Sequence, residues 1–234
     1  MNWLFVTTRF PWPLMDGHWL RVYHLARALR QDGDEVDVLS FEGDAEGVEA
    51  YTAIEVGVLP AGPGNHVARG AARTRLGPYA FDDRLAAAVV EHAGRADAVV
   101  LSGGRMLQYA PEARRARVVV ADLIDDPVLE YGRRQTRPSG LRERLGRVKR
   151  RLGRKRYERE CLRHVDLVTF VSNADCRSFL QRHPRAVVQC VPNGVDVDYF
   201  RRPEEFGGDG PATIVFTGHM SNPNNERAAE FLVR

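Results

Sequence analysis

The sequence lacks any apolar run long enough to enter or cross a membrane as a helix. Its first apolar stretch, which contains Phe5 and Val6, is followed at once by the proline-containing segment TTRFPWP. The apolar region of a signal peptide needs about 7 to 15 residues, and a membrane-spanning helix needs about 20. We therefore expect no signal peptide and no transmembrane helix, and we predict a cytoplasmic protein.

Cysteine is scarce, because the chain has three cysteines that are widely spaced and form no CxxC pair. This pattern excludes a disulfide-stabilised scaffold and fits a reducing compartment. Cys161 and Cys176 have no histidine at a spacing typical of a metal or catalytic site, so we predict that both are small buried side chains. Internal repeats and low-complexity tracts are absent as well.

The dinucleotide-binding fingerprint GxGxxG is also missing, because the loop after the first apolar segment contains only Gly17. Its absence argues against a nicotinamide or flavin enzyme. A single glycine that opens a helix still offers backbone N–H groups and the positive end of a helix dipole, which suit a phosphate or a developing anion. The alternative is that Gly17 only eases a tight turn.

Strand and helix patterns alternate over residues 1 to about 200, and the chain of 234 residues is long enough to bury a large core. The predicted strands are 2–8, 36–41, 54–59, 98–102, 117–122, 167–172 and 187–191. The predicted helices are 18–32, 67–77, 81–93, 141–164 and 173–182. A strand, a helix and a strand within about forty residues form a βαβ unit with a right-handed crossover. The alternation predicts a doubly wound α/β domain with a parallel sheet.

The segment 187–217 predicts a boundary between a first domain and a second. Residues 187–191 are typical of a buried strand, which Pro192 ends because proline has no N–H to donate. Asn193-Gly194 then predicts a sharp turn, and a Pro/Gly-rich stretch leads to a new predicted strand at 212–217. The predicted organisation is a first domain at 1–200, a linker at 201–211 and the start of a second domain at 212–234.

Three segments resemble motifs of the retaining GT-B glycosyltransferases of sugar transferase family 4. They are LFVTTRFPWPLMDGHWLRVYHLARALRQDGDEVDVLSF at 4–41, VPNGVDVDYF at 191–200 and IVFTGHMSNPNNERAAEFL at 214–232. Within the family, the chain is most similar to sugar transferases associated with exosortase (PEP-CTERM) and exopolysaccharide loci. The resemblance implies two Rossmann-like domains, the first acceptor-binding and the second donor-binding. It also implies transfer of a hexose from a nucleotide-sugar to a glycan or lipid-linked acceptor with retention.

The resemblance implies roles for individual residues. Gly17 and Gly218 match glycines of the loops that close on the donor diphosphate, and Asn193 and Gly194 match the hinge. No metal and no cofactor are implied, since the nucleotide-sugar is a substrate. The acceptor-side candidates are Asp16, His18, Ser102, Arg105 and Asp125.

Other interpretations of these candidates stay open. Asp122, Asp125 and Asp126 follow a predicted strand in ADLIDDP and could bind an acceptor hydroxyl or a divalent cation. They could equally be acids that form a turn and cap a helix. Arg105 could be a solvated arginine, and His24 is expected to pack at the edge of the core rather than act as a base.

The sequence departs from the family pattern at two points. Gly218 is followed by His219 where many members have arginine, and no Lys or Arg appears before Arg227. The paired-glutamate motif that holds the nucleotide ribose is not present in the 234 residues. We therefore expect very weak UDP or GDP binding by this chain, an acceptor domain with the beginning of a donor domain. The alternative function is a non-catalytic acceptor- or membrane-binding domain, a truncated remnant of such an enzyme.

Positive charge is concentrated in one predicted helix. Residues 133–163 contain 14 Lys/Arg and 3 Asp/Glu, a local charge of +11 in a chain whose net charge is +3. An apolar stripe runs through it at Leu141, Leu145, Val148 and Leu152. Such a helix suits an anionic membrane surface, and the candidate contacts are Arg147, Arg150, Arg151 and Arg154. Alternatively the stripe packs on its own domain beneath a solvated basic face. Nucleic acid is not expected, because interleaved aromatic residues and a known binding module are missing.

Overall fold

The computed structural model describes residues 1–7, 9–41, 45–62, 79–126, 128–129, 140–197, 199–201, 213–218, 220 and 223–233, with the backbone alone at several positions of 141–151 and at 223–224. The chain forms two compact units, Met1–Asn193 and Gly194–Arg234. The predicted helix 67–77 and most of the predicted linker lie outside the described residues. The assignment of 212–234 to a donor domain stays a prediction.

The first unit is built on a seven-stranded sheet in which every neighbouring pair is parallel. The strands are β1 (Asn2–Val6), β2 (Glu35–Ser40), β3 (Gly57–Pro60), β4 (Ala98–Ser102), β5 (Val118–Ile124), β6 (Leu167–Phe170) and β7 (Val188–Cys190). Their order across the sheet is β3-β2-β1-β4-β5-β6-β7. The predicted doubly wound, Rossmann-like α/β fold is confirmed, and the strand order reverses direction between β1 and β4.

Helices cover both faces of this sheet because the strands are apolar on both sides. The helices are α1 (Gly17–Gln31), α2 (Ala45–Ala53), α3 (Asp83–Ala93), a 3₁₀ turn (Met106–Tyr109) that runs into α4 (Ala110–Ala113), α5 (Leu141–Leu162), α6 (Asn173–Arg182) and, in the second unit, α7 (Pro223–Leu232). Side chains of β1 alternate between the faces: Phe5 packs with Val22 of α1, and Val6 packs with Leu85 of α3. A third cluster joins α5 and α6 to β6 and contains Cys161 and Cys176, which are buried as predicted.

Helix starts follow ordinary capping chemistry. Asp82 accepts hydrogen bonds from the backbone N–H groups of Arg84 and Leu85, and Ser172 accepts one from Asp175. These caps fix where α3 and α6 begin, and α6 has the bounds predicted for it, 173–182. Two helical segments, α2 and residues 106–113, were not predicted from the sequence, because both are too short for a clear period of 3.6 residues.

Three predicted strands need correction. Strand β3 begins at Gly57 rather than at residue 54, since Ile54 and Glu55 form a turn in which Glu55 has φ +57°. The strand predicted as buried at 187–191 is the three-residue edge strand β7, in which Gln189 is exposed and Val188 and Cys190 are half-buried. Among the described residues, no further strand pairs with it on its outer side. Residues 213–217 lie outside the sheet, as expected, but they form no strand.

The second unit is described mainly by α7 and the segment before it. Gly218 lies against Asn225, since a Cβ atom at position 218 would be 3.0 Å from the Asn225 amide nitrogen. Ile214, Val215 and Phe231 are exposed. A strand forms only where a second strand accepts its backbone hydrogen bonds, and the described residues of this unit supply no such partner.

Candidate functional site

The carboxyl ends of β1, β4 and β5 meet where the strand order reverses, and α1 begins at the same edge. Open parallel sheets bind their ligands at this position. Asp16 is the N-cap of α1, and its carboxylate accepts a hydrogen bond of 2.8 Å from the backbone N–H of His18. Gly17 is the first helical residue, and a Cβ atom there would meet nothing within 4 Å. The start of α1 is therefore open to an approaching ligand.

His18 is held against the end of β4. Its Nε2 atom lies 2.7 Å from the hydroxyl oxygen of the buried Ser102, within hydrogen-bond distance. The imidazole also lies on Gly103, where a Cβ atom would be 3.0 Å from His18 Cε1 and where φ is +88°. Glycine at 103 therefore serves both the backbone turn and the close approach of the ring.

The charge state of His18 follows from its surroundings. Burial lowers the pKa of His18 below its ordinary value of 6.5, while the carboxylates of Asp122 and Asp16 act to raise it and Arg21 acts to lower it. The imidazole is therefore neutral at pH 7. A neutral imidazole beside a buried hydroxyl can donate or accept one hydrogen bond at a substrate oxygen.

Beneath this pair lies a buried ion pair between α1 and β5. Arg21 donates from Nε to Asp122 Oδ2 (2.9 Å) and from Nη2 to Asp122 Oδ1 (3.1 Å). Thr169 of β6 donates its hydroxyl to Asp122 Oδ1 at 2.7 Å. The remaining guanidinium nitrogen of Arg21, Nη1, donates to Asn193 Oδ1 at 3.0 Å. One arginine thus connects α1, β5 and the last residue of the first unit.

The backbone at the end of β5 is unusual. The register with β6 shifts between Asp122 and Ile124, and Ile124 has φ +68°. A β-branched residue rarely adopts this conformation, and such residues concentrate at functional sites. The turn leaves Asp125 exposed and buries Asp126.

Asp126 is a structural carboxylate. Arg182 of α6 donates to both of its oxygens, at 2.7 and 2.9 Å, and the backbone N–H of Val128 donates to Oδ1. Burial alone would raise the pKa of Asp126, but the hydrogen bonds from Arg182 and Ser178 outweigh it and lower that pKa. The interpretation as an acid that forms a turn and caps a helix therefore fits Asp126. Asp125, in contrast, is exposed to solvent.

The loop after β4 is anchored from α5. The hydroxyl of Tyr157 donates to the carbonyl of Gly104 at 3.0 Å. Arg105 is exposed, with its guanidinium carbon 5.9 Å from the ring centroid of Tyr79. Cation–π attraction to the ring limits the orientations of this guanidinium, which remains exposed for contact with a polar ligand.

The structure brings together some of the predicted residues and separates others. Asp16, His18 and Ser102 form one hydrogen-bonded group. Asn193 belongs to a second group, in which it accepts a hydrogen bond from Arg21, the partner of Asp122. Arg105 and Asp125 lie exposed on neighbouring loops of the same sheet edge. Gly194 and Gly218 belong to the second unit. Among the described residues, no group of three or more His, Cys, Asp or Glu side chains is arranged to hold a metal ion.

Arg21 and Thr169 were missed by sequence reasoning. The sequence did contain a feature that could have identified Arg21. This charged residue precedes Val22 on the side of α1 that carries Leu25 and Leu29, where an apolar residue is expected. A charged residue on such a face predicts a buried partner of opposite charge. Nothing in the sequence marks Thr169, since a threonine in a strand is ordinary.

The basic helix α5 presents part of its apolar stripe to solvent. Leu145, Val148 and Leu152 are exposed, so the interpretation that this stripe packs on its own domain is wrong for these three residues. Arg154 is half-buried, and the side chains of Arg147, Arg150 and Arg151 lie outside the described part of the chain. Within the described residues, no helix has the length and apolar composition needed to cross a membrane.

Solved structures of related fold were found. Anabaena HepE in complex with UDP-glucose matches with a TM-score of 0.56 and 20% sequence identity, and HepE in complex with UDP matches with 0.58 and 21%. HepE in complex with UDP and glucose gives 0.56 and 19%. Each match covers 87% of this chain and 47% of the HepE chain, so the chain spans about half the length of the structures it matches. At this identity the likeness shows the fold.

No functionally curated protein matches the chain. The sequence profile of the family described as Glycosyl transferase 4-like domain matches residues 16–194. That range begins at the N-cap of α1 and contains every residue of the His18–Ser102 and Arg21–Asp122–Asn193 contacts. The chain therefore belongs to the Glycosyl transferase 4-like domain family.

Proposed function

We propose that this chain carries the acceptor-side domain of a glycosyltransferase that moves a hexose from a nucleotide-sugar to a glycan or lipid-linked acceptor, with retention at the anomeric carbon. The observation that carries the proposal is the position of the His18 imidazole, 2.7 Å from the buried Ser102 hydroxyl at the edge where open parallel sheets bind their ligands. Burial lowers the pKa of His18, which favours the neutral imidazole. This pair lies inside the segment that matches the glycosyl transferase family.

UDP-glucose is the first donor to test, because the HepE structures of similar fold were solved with UDP-glucose and with UDP. In a retaining site the leaving diphosphate is stabilised by oriented N–H groups and positive charge. Gly17 at the start of α1 and Gly218 before α7 are proposed as the donor-phosphate loops, and Asn193 and Gly194 as the hinge. The proposal includes no metal and no cofactor.

The roles of the acceptor-side residues follow from their surroundings. His18 and Ser102 are proposed to hydrogen-bond a sugar hydroxyl, because a neutral imidazole can do so without attracting a counter-ion. Asp125 is an exposed carboxylate and Arg105 an exposed guanidinium, so both can contact hydroxyl or phosphate oxygens of an acceptor. Asp16 caps α1 and thereby fixes the backbone that carries His18.

The test is release of UDP by the complete gene product that contains this chain, measured with a panel of nucleotide-sugars. His18→Ala is expected to lower kcat/KM by about 100-fold, the usual effect of removing one preorganised hydrogen-bonding group. Ser102→Ala is expected to lower it less, since the imidazole remains. Arg177→Gln, which removes an exposed charge on α6, serves as the control. Full activity in a folded His18→Ala protein would overturn the proposal.

The alternative is a non-catalytic binding domain, and the exposed stripe of α5 is the observation that favours it. The two functions differ in one measurement. Turnover of a nucleotide-sugar that depends on His18 supports the enzyme, whereas a folded protein that turns over none of the panel supports the binding domain.

A lipid-linked acceptor would require an enzyme that works at the inner face of the membrane, as a peripheral protein associated with exopolysaccharide synthesis.

A further inference from the structure

Helix α5 is fixed to the first unit through the last part of its 22 residues. Tyr157 and Cys161 are buried in the cluster that also contains Phe170 and Phe179. Tyr157 additionally donates a hydrogen bond to the carbonyl of Gly104. These contacts decide which side of the helix faces the domain.

The apolar stripe lies on the other side of the same helix. The exposed fractions are 61% for Leu145, 55% for Val148 and 63% for Leu152. With about 100° of rotation per residue, the centre of this stripe points about 170° away from the direction of Tyr157 and Cys161. The stripe therefore cannot turn onto its own domain unless the buried side chains leave the core.

The outward face of α5 is also cationic. Lys149, Lys155 and Arg156 are exposed and lie within about 70° of the centre of the stripe. Among the acidic side chains of this helix that the structure describes, Glu158 is buried with His183 and Glu160 binds Arg163. We call the stripe and these three cations the outer face of α5. It combines apolar side chains with positive charge.

We propose that the outer face of α5 docks on an anionic phospholipid surface. The helix lies in the plane of the interface, with Leu145, Val148 and Leu152 inserted between headgroups and the three cations beside lipid phosphates. The positive charge favours an anionic lipid surface over a second copy of the chain, because a second copy would bring an identical cationic face into contact with this one. Docking is independent of the glycosyl transfer proposed above, since neither His18 nor Ser102 contributes to it.

The expected strength is moderate and dependent on salt. A Lys or Arg near an anionic leaflet contributes about 1 kcal/mol, so three of them strengthen binding on the order of 100-fold over a neutral surface. Ions screen this attraction, and the Debye length falls from about 10 Å at 0.1 M salt to about 3 Å at 1 M. Binding to anionic vesicles should therefore fall steeply as salt rises.

The test is flotation of the 234-residue chain with vesicles of phosphatidylcholine alone, or of phosphatidylcholine and phosphatidylglycerol in equal parts. The cation variant carries Lys149→Gln, Lys155→Gln and Arg156→Gln. Its matched control loses three exposed charges from other elements, through Arg27→Gln, Arg95→Gln and Arg177→Gln. The apolar variant carries Leu145→Gln, Val148→Gln and Leu152→Gln, and Val187→Gln removes an apolar side chain of similar exposure, 64%, next to β7.

We expect the parent chain and both controls to bind the mixed vesicles and not the neutral ones. The cation variant should lose binding on the order of 100-fold, and the apolar variant about tenfold or more. The midpoint of thermal unfolding should not change in the apolar variant, because its three side chains are exposed in the folded protein.

Four results would overturn the proposal. They are equal binding to neutral and mixed vesicles, no binding to either, a loss in the charge-matched control as large as in the cation variant, and self-association of the parent chain that the apolar variant abolishes. The last result would assign the outer face to a second copy. Loss of nucleotide-sugar turnover with intact vesicle binding would disprove the proposed function alone.

Discussion

Arg21 of α1 and Asp122 of β5, 101 residues apart in the chain, form a bidentate ion pair in which each side chain is 4% exposed. The pair joins the first helix to the middle of the sheet directly beneath His18. Because Arg21 also donates to Asn193, the same guanidinium orders the end of the first unit.

Breaking the ion pair should destabilise the first unit. Arg21→Met leaves a buried carboxylate without its cation, and such a change costs about 3–5 kcal/mol. Asp122→Asn should cost a similar amount for the converse reason. Urea unfolding followed by tryptophan fluorescence can measure this, since Trp3, Trp12 and Trp19 all lie in the first unit.

A double-mutant cycle with Arg21→Met and Asp122→Leu tests whether the two residues act together. We expect the double variant to be more stable than the sum of the single changes predicts, because it leaves no unpaired charge buried. Strict additivity of the two changes would contradict the pairing.

His18 should make stability depend on pH in mildly acidic solution. Its folded-state pKa lies below 6.5 because of burial, so the unfolded chain binds more protons between that pKa and 6.5. The free energy of unfolding should therefore decrease as the pH falls through this interval, and the loss is complete below the folded-state pKa. His18→Gln should make the dependence shallower. An NMR titration of the imidazole signals, with that variant for assignment, would refute this if His18 titrates at or above 6.5.

Substitution of Asp126 should lower the stability of the first unit, whereas substitution of Asp125 should leave it nearly unchanged. Asp126→Asn removes a buried charge that is bound to Arg182, so we expect a loss of about 3–5 kcal/mol. Because its pKa is lowered, the contribution of Asp126 is present above the ordinary carboxyl value and is lost as the pH falls through the folded-state pKa. Asp125→Asn should change the free energy of unfolding by about 0.5 kcal/mol or less, as for an exposed position, and lower kcat/KM. Equal destabilisation by both changes would contradict this assignment.

Two glycines in helices provide a matched test of packing. A Cβ atom at Gly47 of α2 would lie 2.6 Å from Phe10 Cε1 and 2.8 Å from Trp12 Cβ, whereas one at Gly153 of α5 would meet nothing within 4 Å. We expect Gly47→Ala to cost about 1–3 kcal/mol through overpacking. Gly153→Ala should gain about 0.5–1 kcal/mol through helix propensity. Thermal and urea unfolding of both variants would show the opposite signs, and two changes of the same sign would contradict the packing of α2.

Local signals in the sequence were sufficient for most of the sheet. β4 was predicted at its exact bounds, because an uninterrupted apolar run that ends at Gly103 is typical of a central parallel strand. The start of α6 at Asn173 could be predicted because Ser172 is a typical N-cap residue. The edge position of β7 could not be predicted, since the same apolar residues suit a central or an edge strand, and only the order of strands decides which one forms.

The sequence by itself determined the parallel α/β fold of the first unit, the helix start at which His18 lies and the density of positive charge on α5, because these depend on local periodicity, turn residues and composition. The tertiary structure decided which charged groups pair: Arg21 with Asp122, and Arg182 with Asp126, over separations of 101 and 56 residues. It also decided the direction of the stripe on α5, because burial of Tyr157 and Cys161 fixes the rotation of the helix. Pairing and rotation are set by contacts between elements distant in the chain, and a sequence pattern records which residues are apolar or charged but not what they face.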